Sequence, residues 1–159
     1  MNDSIEFAEI RETAVNCLVG ELGENLPGLA LFGSVARGEG SERSDLDFFV
    51  VTRGVEGDRE QRRRRVYHIL APVNRRFRRD VSVYTLEEDE VTDVTPLLIN
   101  IAHDAVILFD PEGYLEKLFT RVKEAVRRAG LVPYRTRDGK IGWKPVRELE
   151  WGERIEVKF

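Results

Sequence analysis

Sulfur is scarce in this chain: it holds one cysteine, Cys17, and one methionine among 159 residues. A lone cysteine excludes an intrachain disulfide and any cysteine-based zinc cluster. No apolar run approaches the ~20 residues a membrane-spanning helix needs, and the opening MNDSIEFAEI has no basic start of the kind a signal peptide carries. A positive excess is missing as well. With 25 Lys and Arg against 29 Asp and Glu the net charge is −4, so the molecule as a whole is not drawn to nucleic acid or to an anionic membrane. Repeats, low-complexity tracts and domain-dividing linkers are absent too. A cytoplasmic protein without membrane association is the expectation.

What is present suits one globular domain spanning 1–159, with a core of about 29–110 and a helical and extended C-terminal part over 111–159. Apolar residues recur at helical spacing over residues 4–22, and Pro27-Gly28 stops that pattern. Leu29-Ala30-Leu31-Phe32 and the segment from Leu46 to Thr52 read as buried strands. Residues 58–79 read as a helix broken at Pro72. Val81 to Thr85 reads as a third strand, Glu87 to Ala102 as a helix interrupted near Pro96, and Ala105 to Phe109 as a fourth strand. An amphipathic helix from Pro111 to Ala129 closes at Gly130, and Asp138-Gly139 marks a hairpin in the tail. Helices interleaved with strands predict an α/β (α+β) fold, a mixed sheet flanked by helices.

The chemistry gathers in LFGSVARGEGSERSDLDFFVV, residues 31–51. Residues i and i+2 of a strand share a face, so Asp45 and Asp47 present adjacent carboxylates while Leu46 faces the core. Like charges so close repel each other and call for a cation. Hard oxygen donors in a pair suit magnesium, which fills its other sites with water and substrate phosphates. Upstream, Gly33-Ser34 follows an apolar strand and opens a short helix, offering backbone N–H groups to an anion. The missing side chain of Gly33 lets a phosphate approach the backbone, the Ser34 hydroxyl adds a donor, and Arg37 a charge-assisted contact. A phosphate cradle facing a carboxylate pair is what nucleotidyl transfer requires.

Gly33-Ser34-x-Ala36-Arg37-Gly38 followed by Asp45-x-Asp47 resembles the signature of the nucleotidyltransferase superfamily that includes DNA polymerase beta, and in particular its minimal prokaryotic branch. The likeness covers residues 29–85, about a third of the chain. It implies the polymerase beta-like fold, Mg2+ as cofactor, and a nucleoside triphosphate, ATP above all, as substrate. It further implies metal binding and catalysis by Asp45, Asp47 and Asp80, where Asp80 of Arg79-Asp80-Val81 matches a third carboxylate that helps deprotonate the attacking hydroxyl. Gly33, Ser34 and Arg37 fall at nucleotide-binding positions.

The acceptor is less legible. Members of the minimal branch pair with small HEPN ribonuclease toxins and adenylylate them, so an antitoxin moving AMP to a hydroxyl of a partner protein or RNA is one reading. A nucleotide-binding antitoxin acting by complex formation without significant catalysis is the other. Nine arginines between Arg59 and Arg79 could meet RNA or an acidic partner; without interleaved aromatics a solvated helix face is the favoured reading. His68 is expected to pack, Cys17 to sit in the core, His103-Asp104 to belong to a loop, and Trp143 and Trp151 to cover the sheet.

Overall fold

The apolar runs Leu29–Phe32 and Phe48–Val51 lie in the two central strands. In the computed structural model, which describes residues 3–159, α1 (Asp3–Leu22) leads through a 3-10 turn to β1 (Gly28–Phe32), and α2 (Gly33–Ala36) follows at once. Next come β2 (Leu46–Thr52), α3 (Arg59–Ile69), α4 (Ala71–Phe77) and β3 (Val81–Glu87). The chain goes on through α5 (Pro96–Asp104), β4 (Val106–Phe109) and α6 (Tyr114–Arg128) to a hairpin of β5 (Leu131–Arg135) and β6 (Ile141–Pro145). The main sheet runs β3-β2-β1-β4, with β1 antiparallel to both neighbours and β2 parallel to β3. A parallel pair needs a long crossover, and α3 with α4 supplies it. The mixed sheet flanked by helices is as expected.

Helices cover both faces, which explains the missing alternation in the central strands. Leu46, Phe48 and Val50 pack with Ile10, Leu18, Val66, Leu70 and Val73 of α1, α3 and α4. Phe49 and Val51 point the other way and pack with Leu98, Ile101, Leu115, Leu118 and Val122 of α5 and α6. Phe49 stacks on Tyr84, with 5.8 Å between ring centres, and leans on Phe119. Each such buried side chain contributes roughly 1.5–3 kcal/mol relative to exposure.

Several boundaries differ from the sequence reading, each for a local reason. The break in the 58–79 helix falls at Leu70, and Pro72 sits in the first turn of α4, where its missing N–H costs nothing. No helix spans Glu87 to Ala102. β3 continues to Glu87, whose carboxylate accepts the Thr52 hydroxyl (2.6 Å) and the Gly54 N–H; α5 starts only at Pro96, capped by Thr95. α6 starts at Tyr114 rather than Pro111, because the Asp110 carboxylate accepts the N–H groups of Leu115 and Glu116, both at 3.0 Å. The arginines of α3 and α4 are largely paired within the chain. Arg62 is buried against Glu90 and Glu87, Arg63 and Arg64 reach Glu60, Arg76 reaches Glu9, and buried Arg79 meets Glu6 at 3.1 Å.

His68 is exposed in the last turn of α3 rather than in the core, its ring edge-on to Tyr67 at 5.9 Å. Cys17 is half-buried, and burial pushes its thiol up. Trp143 is half-buried and its Nε1–H donates to Asn100 Oδ1 (2.7 Å), whereas Trp151 covers nothing and is fully exposed. Among the described residues no helix is long and apolar enough to cross a membrane.

Candidate active site

Strand geometry alone turns Asp47 towards the α5–α6 face. It sits between Leu46 and Phe48, both fully buried on the opposite face, so it shares a side with Phe49. Asp45, one residue ahead of β2, is exposed, while Asp47 is half-buried. The antiparallel register puts Phe32 beside Asp47, so the end of β1 and the turn into α2 flank the carboxylate. The parallel register pairs Leu46 with Val81 and Asp47 with Ser82. One step back lie Asp45 and Asp80, and the Leu46 N–H donates to the Asp80 carbonyl (2.8 Å). All three aspartates therefore lie at one end of the sheet. They are not drawn together: among the described residues no group of three or more His, Cys, Asp or Glu side chains is close enough to hold a metal ion.

The electrostatics single out Asp47. Its pKa is raised, first by burial and then by the charge of Asp45; the Ser82 hydroxyl and the Arg37 charge pull it back part of the way. A half-buried carboxylate with no ion pair among the described residues, beside a second and exposed carboxylate, is a donor pair that fits a hard divalent cation with open positions for water and phosphate.

Gly33 is required here for a second reason beside the one read from sequence. Its φ is +80°, and a Cβ would overlap Oδ2 of Asp47 and lie 3.2 Å from its Cγ. The glycine thus lets the first helical turn close over the carboxylate. Gly33→Ala is expected to cost about 1–2 kcal/mol for the left-handed backbone alone, with the overlap on Asp47 added. Chemical denaturation measures it, and an unchanged midpoint would remove Gly33 from contact with Asp47.

Ser34 follows in α2, half-buried at the same turn. Arg37 closes α2, and its guanidinium is held on two sides: Nη1 donates to Asp104 Oδ2 (2.6 Å), and Nε donates to Glu39 Oε2 (3.0 Å). Asp104, read from sequence as a loop residue, is the last residue of α5 and its side chain is only 6% exposed. His103 stays outside the site, edge-on to Trp143 at 5.2 Å. Glu39 in turn accepts from Arg135 of β5. Sequence reasoning missed Glu39, and also Asp104 and Arg135, whose separations of 67 and 96 residues from Arg37 and Glu39 leave no local signal.

The end of β1 and the turn at Gly33-Ser34 thus lie against the start of β2 at Asp47. The chain belongs to the nucleotidyltransferase domain family, which matches residues 19–125. It is 26% identical over 110 residues to a Methanocaldococcus jannaschii protein whose assignment as a protein adenylyltransferase is itself inferred; the match covers 68% of this chain and 75% of the relative. Solved structures share the fold. One, described as a toxin–antitoxin with AMP-PNP, superposes with a TM-score of 0.54 at 15% identity over 74% of this chain and 87% of the other. Another, a mutant of the MntA–HpeT toxin–antitoxin, superposes with a TM-score of 0.51 at 15% identity over 74% and 85%. The matched family segment ends before the β5–β6 hairpin, so Arg135 lies outside it.

Proposed function

We propose that this chain is a magnesium-dependent adenylyltransferase that moves AMP from ATP to a hydroxyl of a partner protein. The observation that carries the reading is Asp47, a half-buried carboxylate with a raised pKa, set between Asp45 and the Gly33 turn in a chain of the nucleotidyltransferase family. The relative described as a protein adenylyltransferase supports AMP and a protein acceptor. The neighbour holding AMP-PNP in a toxin–antitoxin motivates the choice of ATP and of a partner encoded alongside, for which a HEPN-type toxin is the first candidate. RNA is the alternative acceptor. We read 1–159 as one cytoplasmic nucleotidyltransferase domain, with the partner completing the acceptor side.

In this mechanism Asp45 and Asp47 would hold Mg2+, with Asp80 at the same end of the sheet. The bound metal would neutralise phosphate charge and stabilise the attacking and leaving oxygens. The Gly33 turn receives the triphosphate against backbone N–H groups, Ser34 donates its hydroxyl, and Arg37 supplies a guanidinium held in place by Asp104. The acceptor oxygen attacks the α-phosphorus and forms a new P–O bond. The bond from the α-phosphorus to the bridging oxygen breaks, and pyrophosphate leaves with the electron pair. The acceptor's proton passes to the Asp80 carboxylate.

Metal dependence tests the reading directly. Magnesium-ATP is expected to bind at least tenfold more tightly than ATP with chelator, since without the cation the triphosphate meets the Asp45–Asp47 pair unshielded. Calorimetry giving equal affinities would remove both aspartates from metal binding. Radiolabelled ATP, offered with the neighbouring gene's product, total RNA and tRNA, identifies the acceptor. Tight binding of that neighbour without label transfer would mean an antitoxin that acts by complex formation.

A further inference from the structure

Two guanidinium groups from distant parts of the chain converge on one exposed carboxylate beside the candidate site. Arg37 closes α2, immediately after the Gly33-Ser34 turn, and its charge is felt by Asp47. Its Nε donates to Glu39 Oε2 at 3.0 Å. Arg135 ends β5 and donates to both oxygens of the same carboxylate, Nη1 reaching Oε2 at 3.3 Å and Nη2 reaching Oε1. Two planar forks on one two-oxygen anion is the arrangement by which proteins bind phosphate.

The two sides of Arg37 are unequal. Asp104, with a side chain 6% exposed, holds Nη1 from within the fold, while Glu39, with a side chain 38% exposed, holds Nε from the solvent side. Exposed ion pairs are weak and readily exchanged, and buried ones are costly to break. An incoming anion would therefore displace Glu39 and leave the Arg37–Asp104 pair intact. Two arginines set against Asp104 and Glu39 leave this group of four without net charge. Only the release of Glu39 makes it cationic.

We propose that Arg37 and Arg135 form a phosphate-binding pair for the triphosphate of the nucleotide, and that Glu39 is its built-in placeholder when nucleotide is absent. The inference rests on the nucleotidyltransferase reading of the site and adds to it a contact from the C-terminal hairpin. Glu39 competes with the substrate for the two guanidinium groups. Once Glu39 has swung away, the hairpin is fastened to the nucleotide through Arg135 instead of to the loop after α2. Arg135 then contributes to ground-state affinity for the polyphosphate, not to the chemistry at the α-phosphorus.

Calorimetry with magnesium-ATP and with inorganic tripolyphosphate, on the full chain, tests it. Glu39→Gln keeps the size and removes the charge, and is expected to tighten both ligands by about three- to tenfold. Arg135→Ala is expected to weaken both by about tenfold, raising KM for ATP with kcat little changed, and Arg135→Lys should recover part of the loss. In an Arg135→Ala background, Glu39→Gln should gain less than it does alone, because one of the two released groups is gone. Thermal melts establish that each variant folds. If wild type binds magnesium-ATP and neither variant changes the affinity, the phosphate pair is wrong while the nucleotidyltransferase reading stands. If wild type binds no nucleotide, tripolyphosphate decides alone. Binding that tightens in Glu39→Gln and weakens in Arg135→Ala supports the pair, and no binding overturns it.

Discussion

Asp47→Asn is expected to reduce nucleotide transfer by ~10³-fold or more, beyond the ~10²–10³ lost with a single donor to a developing charge. The substitution takes away the more buried of the two carboxylates proposed to hold the metal, and an amide supplies one neutral oxygen in place of an anion. Magnesium-dependent tightening of ATP binding should disappear along with transfer. Stability should move the other way. The Asp47 carboxyl has a raised pKa in the folded chain because burial and Asp45 disfavour its charged form. The folded state therefore holds that proton more tightly than the unfolded state, whose value lies near ~3.9. Where the folded state binds more protons, stability falls as pH rises. In metal-free buffer wild type should lose stability as pH climbs from the unfolded value through the raised folded one. Asp47→Asn should lack that decline and be at least as stable as wild type above it. Urea midpoints across pH measure both; a variant that transfers AMP as wild type does would exclude Asp47 from the metal site.

Asp80→Asn should separate binding from chemistry. Asp80 is exposed one residue ahead of β3, and its main-chain carbonyl accepts the Leu46 N–H at 2.8 Å. Asparagine preserves that contact, so the melting temperature should be unchanged. Asp45 and Asp47 remain, so magnesium-ATP affinity should stay within a few-fold. Transfer should nevertheless fall by ~10²–10⁴, the usual contribution of a general base, because an amide cannot take the acceptor's proton. Full activity in this variant would leave Asp80 as a strand-start residue only. Loss of ATP affinity in step with transfer would place it in nucleotide binding instead.

Much of the site was legible because its signal is local. The period of a strand sets the face of Asp47, with Asp45 one residue ahead of β2, and a glycine-serine turn after an apolar run marks a strand-to-helix junction whatever packs around it. The apolar runs Leu29–Phe32 of β1 and Phe48–Val51 of β2 likewise announced strands buried on both faces. Element boundaries were less secure where one side chain settles them. Glu87 extends β3 by bonding across to β2, and Asp110 delays α6 by capping from four residues before its start. Neither choice shows in periodicity, because each depends on one carboxylate finding particular donors.

Tertiary structure alone decided how the pieces meet. The α3–α4 crossover makes β2 and β3 parallel, and only that register brings Asp80 to the same sheet end as Asp45 and pairs Ser82 with Asp47. Closure of the turn over Asp47 gave Gly33 a second duty, as the one residue whose missing side chain leaves room for Oδ2. Asp104 and Arg135 reach Arg37 and Glu39 across separations of 67 and 96 residues, through α5 and a hairpin beyond the family segment. Local periodicity records which face a residue takes. Charge pairing across the chain follows from the order and direction of the strands, which the sequence carries only through the energy of the whole packed core.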